Sequence, residues 1–103
     1  MQVVLVEPCT PARVYESDGS LENMQDIVGG YIETVPLEEF PNLVVVCNEE
    51  GKILGLEANF ENYSDIIVGT VLVCKTDGEN FIGLNDKECD QVIELMNSTD
   101  DRW

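Results

Sequence analysis

Apolar residues fall along this chain in short blocks, and the spacing inside each block predicts its element. Val3 to Val6 is a continuous β-branched run, as expected for a strand buried on both faces. Pro8 and Pro11 stop it, because each removes a backbone donor and fixes φ. Val14-Tyr15-Glu16 is expected as a second short strand. Ser17 to Ser20 reads as a turn, with Ser20 a suitable N-cap. Leu21, Met24, Ile27 and Val28 then recur at helical spacing, while Glu22, Asn23 and Asp26 face away. Gly29-Gly30 ends that helix, since glycine accepts the left-handed conformation at a helix stop. Tyr31 to Val35 alternates, as a half-exposed strand does, and Pro36 to Pro41 is a loop carrying Glu38 and Glu39.

The two strongest apolar runs are Leu43 to Cys47 and Ile66 to Cys74, both expected as inner strands. Between them, Asn48-Glu49-Glu50-Gly51-Lys52 is expected as a tight turn with Gly51 at positive φ. Ile53 to Leu56 would return as the second arm of that hairpin. Glu57 to Asp65 reads as an irregular acidic link. Gly69, inside the longer run, predicts a bulge or a close backbone approach. Thr76 to Asn80 is a second hairpin turn, with Phe81 to Leu84 as a short partner strand. Asn85 or Asp86 caps a last helix, whose buried stripe is Cys89, Val92, Ile93 and Met96. Asp86, Asp90 and Glu94 repeat every four residues on its outer side. Residues 98–103 form a polar tail, in which Trp103 either folds back or stays free. Strands outnumber helices and the helices are not interleaved one per strand. The class is therefore α+β: a single small domain over residues 1–97, with a mostly antiparallel sheet of five to six strands and two helices.

Composition changes this picture in one respect. With 103 residues and 44 % hydrophobic positions the chain supports one packed core. Its net charge is -16, from 21 acidic and 5 basic residues with no His, far beyond the magnitude of roughly 2–8 usual for a small soluble domain. Such a surface repels nucleic acid and anionic membranes, because phosphate neutralisation requires Lys and Arg. No run approaches the about 18 apolar residues of a membrane span. The N-terminus lacks a basic segment and a long apolar segment, so a cytoplasmic location is expected. Cys9, Cys47, Cys74 and Cys89 are then expected as reduced thiols, and no C-x-x-C spacing suggests zinc. Cys47 and Cys74 each close an apolar run, where cysteine acts as a small buried hydrophobe.

Candidate chemistry is sparse. Without His, a Ser-His or Cys-His nucleophile cannot be assembled from one chain. Paired carboxylates can serve as acid and base, but 21 acids single out no pair. The best calcium window starts at Asp77 and ends at Glu88, yet Phe81 and Ile82 stand where a ligand and a glycine are required. Gly29-Gly30 follows a helix rather than opening one, so it is no phosphate cradle. No cofactor or metal is expected, and the chain is read as a non-enzyme.

The residues Leu21, Met24-Gln25, Val28 to Glu33, Cys47 to Lys52, Gly55-Leu56, Asn59 and Asp65 to Thr70 resemble an uncharacterised family, the domain of unknown function thirty-eight forty-six. The resemblance covers nearly the whole chain. Its most specific parts are the block from Val28 to Glu33 and the turn from Asn48 to Lys52. Proteins of this kind resemble small accessory products of phages, plasmids and integrative elements of bacteria. Family members often carry Pro after the Gly-Leu pair and a basic residue after the Asn. This chain has Glu57 and Phe60 there, which makes the stretch more negative.

Charge and resemblance together imply an antagonist of a host nucleic-acid-handling defence enzyme, anti-CRISPR or anti-restriction in type. A domain of this length is about 35 Å across, and duplex DNA of that length carries roughly 20 phosphate charges. The expected partner is a basic protein surface such as that of a CRISPR effector or restriction nuclease, with no direct nucleic-acid binding and no membrane. The expected contacts are Asp86, Asp90 and Glu94 of the last helix, Glu57, Glu61 and Asp65 of the link, and Glu49 and Glu50 of the turn. The alternative is a small-molecule or nucleotide-binding module that sequesters a defence signal, with Gly55, Gly69 and the Asn48 to Lys52 turn lining its pocket and backbone amides holding phosphate.

Overall fold

In chain order, the elements of this computed structural model, which describes residues 1–98, are β1 (Gln2–Val6), β2 (Arg13–Glu16), α1 (Leu21–Val28), β3 (Ile32–Pro36), β4 (Val44–Asn48), β5 (Ala58–Asn62), β6 (Asp65–Val68), β7 (Val71–Thr76), β8 (Phe81–Ile82) and α2 (Asp86–Ser98). Five strands pair in the order β2-β1-β7-β4-β3, every neighbour antiparallel, and β8 pairs with β7. β5 and β6 form a separate two-stranded hairpin. The fold is α+β.

Strand periodicity divides the core in two. On one face Val4 and Val6 of β1, Val45 and Cys47 of β4, and Val71 and Val73 of β7 pack beneath Cys89, Val92 and Met96 of α2, with Phe60 and Ile67 of the hairpin beside them. On the other face Val3, Leu5, Val46, Leu72 and Cys74 pack against Met24 and Val28 of α1. The β1, β4 and β7 strands are buried on both sides, which is why they read as unbroken apolar runs.

The first helix starts and stops, and the second starts, where the sequence signals it, while α2 runs on to Ser98, a residue expected in the tail. The Ser20 hydroxyl accepts the Asn23 amide at 3.0 Å, and Gly29 takes a left-handed conformation at φ 83° with its amide donated to Gln25 O. Asn85 caps α2. Its side chain accepts the Glu88 amide at 2.8 Å, while the Glu88 carboxylate accepts the Asn85 amide at 2.9 Å, a reciprocal capping box.

The segment from residue 49 to 70 departs from expectation. Ile53 to Leu56 is not a strand. Glu49 to Gly55 winds through consecutive turns, with the amides of Gly51, Leu54, Gly55 and Leu56 donating to the carbonyls of Asn48, Glu50, Lys52 and Gly51 in turn. A hairpin at this point would need β4 to pair with its successor in sequence, but β4 is flanked by β3 and β7. Gly51 is not at positive φ; Gly55 is, at 69°. Gly51 is required for clearance instead, since a Cβ there would stand 2.8 Å from Val68 Cγ2.

The expected irregular link is the strand β5, followed by a two-residue turn at Tyr63-Ser64. The run Ile66 to Cys74 is two strands rather than one. Gly69, at φ 77°, turns the chain from β6 to β7, and a Cβ there would meet Leu56 Cδ1 at 2.7 Å. The expectation of a close approach at Gly69 is therefore met, and the expectation of a single strand is not. The partner strand after the second hairpin turn is short, Phe81–Ile82 alone. The expectations for Trp103 and for the tail beyond Ser98 lie outside the described residues.

Three asparagines fasten this excursion to the sheet. Asn48 Nδ2 donates to Val28 O at the end of α1, and its Oδ1 accepts the Glu50 amide. Asn59, fully buried, donates to both Val6 O and Gly69 O, leaving its Oδ1 without a partner. Asn62 donates to Pro36 O and accepts the Glu38 amide. Each satisfies main-chain groups that no strand ladder reaches.

Candidate functional site

The acidic face is built by α2 and the β5–β6 hairpin, which lie on the same side of the sheet. On α2 the apolar stripe Cys89, Val92 and Met96 turns inward, so Asp86, Asp90 and Glu94 are exposed along the outer ridge. At a rise of about 1.5 Å per residue their Cα atoms span about 12 Å. Asp86 also accepts a hydrogen bond from Gln2 Nε2 at 2.9 Å, which fixes the start of the ridge to β1. Beyond the far end of α2, Glu38, Glu39 and Glu61 line a shallow depression with Leu37, Phe60, Asn62, Leu95 and Met96. Glu61 and the end of α2 therefore share one surface.

The other expected residues are placed differently. Glu57 is exposed at the start of β5 and accepts a weak hydrogen bond from the Cys9 thiol at 3.5 Å. Asp65 forms an ion pair with Lys52, and that hydrogen-bonded ammonium holds its carboxyl below the usual carboxylate range. Asp65 is thus partly neutralised. Glu49 and Glu50 lie on the turn after β4, away from α2 and next to Tyr31, whose carbonyl accepts the Glu49 amide.

The basic residues leave this charge largely uncompensated. Among the described residues, Arg13 pairs with Glu7, Lys52 with Asp65, and Lys75 with Glu88 at 3.0 Å. Glu88 is doubly engaged: the Asn85 amide and the Lys75 ammonium hold its carboxyl below the usual range. Among the described residues, Asp86, Asp90, Glu94 and Glu61 form no ion pair, although the exposed Lys87 lies on the same helix as the first three.

A cleft of about 130 Å³ opens beside the turn, lined by Glu33, Asn48, Glu49, Lys52, Ile53 and Asp65, with Cys47 at its floor. Burial and the Glu33 carboxylate push the Cys47 thiol up to about 11, so it is protonated at neutral pH and a weak nucleophile. Of the turn's amides, those of Glu49, Glu50, Gly51, Leu54, Gly55 and Leu56 are spent inside the fold, which leaves those of Lys52 and Ile53 as the candidate phosphate donors of the cleft. Gly69 packs on Leu56 and Gly55 has open space around it. Among the described residues no group of three or more Cys, Asp or Glu side chains is arranged to hold a metal ion, and no helix is long and apolar enough to cross a membrane. All four cysteines are thiols, with Cys9 exposed and the other three buried.

Composition did not reveal the apolar exposure at the turn. Ile53 is 84 % exposed, Leu54 58 % and Tyr31 69 %. Read as a strand, Ile53 to Leu56 would bury alternate side chains; wound into turns, it displays the first two.

The two stretches that mark the turn and the α1–β3 junction prove to be one structural unit. Asn48 reaches Val28 O, Glu49 pairs with Tyr31 O, and a Cβ on Gly30 would crowd Asn48 Nδ2 at 3.0 Å. Comparison with curated proteins found no match, and comparison with solved structures found none either. A family model described as a domain of unknown function matches residues 1–97. The chain belongs to that family, DUF3846.

Proposed function

We propose that this protein is a non-enzymatic antagonist of a host nucleic-acid-handling defence enzyme, acting in the bacterial cytoplasm by occupying a basic surface where nucleic acid would enter. The observation that carries this reading is charge density. A net charge of -16 sits on a body with principal extents of 28 × 28 × 21 Å. A DNA duplex 28 Å long carries about 16 phosphate charges. The protein thus presents the charge of the duplex it would displace, and long-range attraction would steer it to a Lys- and Arg-lined channel.

The α2 ridge of Asp86, Asp90 and Glu94, extended by Glu61, Glu38 and Glu39, is the surface best suited to the contact. There the carboxylates are exposed and can accept paired hydrogen bonds from arginine. Glu57 extends the hairpin side, and Asp65 contributes less because Lys52 already holds it. A CRISPR effector or a restriction nuclease fits the partner chemistry, since each holds nucleic acid in a basic channel. The nucleotide-binding alternative is less well supported, because most of the turn's amides are internally satisfied and its cleft is lined by the carboxylates of Glu33, Glu49 and Asp65. Replacing Asp86, Asp90 and Glu94 together by Lys tests the proposal: inhibition should be lost while the melting transition is kept. Retained inhibition in the triple variant would remove this ridge from the contact.

A further inference from the structure

Opposite in character to the α2 ridge is the end of the molecule formed by the α1–β3 junction and the turn after β4. It carries Tyr31, Ile53 and Leu54, all more than half exposed. Large apolar side chains grouped at one end of a small domain mark contact surfaces more often than scattered ones do. Concavities flank the group. One is the cleft lined by Ile53 and Glu33; the other is an open depression lined by Gln25, Asp26, Gly29, Gly30 and Tyr31. Glu49 joins them, lining the cleft while its amide is held by Tyr31 O.

The display is rigid. Asn48 fixes the turn to α1, Gly51 packs on Val68, Leu56 packs on Gly69, and Lys52 is paired with Asp65. Ile53 and Leu54 therefore sit on a knob whose main chain is hydrogen-bonded on both sides of them. Little main-chain freedom remains to be lost when this knob is covered, and the cost of contact falls on the side chains.

The rim decides what covers it. Glu33 and Glu49 line the cleft beside Ile53, Asp26 lines the depression beside Tyr31, and the exposed Glu50 lies on the same turn, with Lys52 already engaged by Asp65. A second copy of this chain would bring those carboxylates against each other. A cationic partner would satisfy them. We infer that the Tyr31–Ile53–Leu54 end is the apolar anchor for a cationic protein segment bearing apolar side chains, with Lys and Arg of that segment meeting Glu33, Glu49 and Glu50. The inference rests on the proposed basic partner and adds the part of the contact that salt does not screen. Carboxylates alone set the rate of encounter and weaken steeply with ionic strength. Buried apolar anchors set the lifetime.

The test uses the whole protein and two short synthetic peptides, one alternating Lys and Leu and one of Lys alone, in amide NMR titrations at low and at high NaCl. The Lys/Leu peptide should shift Tyr31 and the amides from Glu49 to Leu54, and those shifts should persist at high salt. The all-Lys peptide should shift acidic residues broadly and be released by salt. Ile53→Ser with Leu54→Ser should weaken the Lys/Leu peptide by about tenfold or more and leave the all-Lys peptide unchanged. Mapping on the unaltered protein gives an answer even if that variant folds poorly. If both peptides shift the same residues, or the Lys/Leu shifts centre on α2, the anchor is overturned while the electrostatic reading stands. If sedimentation shows a dimer that the double variant abolishes, the occupant is a second copy and the inference is likewise overturned. If the patch binds as expected but no nucleic-acid enzyme is inhibited, the antagonist role fails and the anchor survives.

Discussion

The central strands and the excursion between them are made of similar residues but obey different rules. Val71 to Cys74 and Ile66 to Val68 are both β-branched and apolar, and nothing but Gly69 and Thr70 separates them. The first is wholly buried between two helical layers. The second is half of a hairpin laid on the α2 side of the sheet, with only Ile67 fully in the core. In the centre, burial on both faces determines the structure. In the excursion, it is set by single polar groups and by clearance at glycine: Asn48, Asn59, Asn62, Gly51 and Gly69.

That contrast can be broken from the centre outwards. Leu72→Ala removes a fully buried side chain from the sheet face under α1, and should cost about 3 kcal/mol, read as a lower denaturant midpoint. Gly69→Ala should cost less, about 2 kcal/mol. It combines a strained positive φ with a Cβ pressed on the flexible end of Leu56, whose side chain can give way. A loss at Gly69 equal to that at Leu72 would mean that Leu56 does not give way and that clearance at Gly69 matters as much as core packing.

The tip of the hairpin offers a change of opposite sign. Tyr63 and Ser64 both adopt positive φ, at 50° and 64°, in a two-residue turn where Asn-Gly is favoured. Tyr63→Asn with Ser64→Gly should therefore stabilise the protein by about 1 kcal/mol, seen as a melting temperature raised by about 5 °C. No gain would show that Tyr63 and Ser64 hold these angles without measurable strain.

The smallest effect is expected from pH near neutrality, with losses at both extremes. Glu88, Asp65 and Asp77 are held below their ordinary range by hydrogen bonds and, for the first two, by lysines. Their contribution is present above the unfolded carboxylate range and is lost as pH falls below about 4. Burial raises Cys47 to about 11 and Cys74 to about 12. The unfolded thiols ionise first, so that contribution is present below about 9 and is lost as pH rises further. Melting temperature against pH should show a plateau between these limits.

Much of this fold was legible in the sequence because the informative signals were local. Continuous valine runs gave β1 and β4 and the core of β7, while Ser20, Gly29 and Asn85 gave the helix ends. The excursion was not legible. Apolar Ile53-Leu54 looks like half a strand until it is known that β4 is already paired on both sides by β3 and β7, which lie before and after it in the chain. Asn62 and Asn59 carried no local signal, since their partners, Pro36 and Val6, are 26 and 53 residues away. Of the candidate surface, the α2 ridge followed directly from four-residue spacing. The partial neutralisation of Asp65 required knowing that Lys52 folds onto it, and the exposed apolar turn required the turn itself.

The central claim is that carboxylates on the α2 side of the molecule compete with nucleic acid for a basic protein surface. The most direct measurement is DNA cleavage by a restriction or CRISPR nuclease of the bacterial host, assayed with rising amounts of the wild-type protein and of the Asp86→Lys, Asp90→Lys, Glu94→Lys variant. The account predicts inhibition by the wild type that excess DNA relieves and added salt weakens, and none by the variant. Equal inhibition by both proteins, or inhibition that neither DNA nor salt relieves, would contradict it.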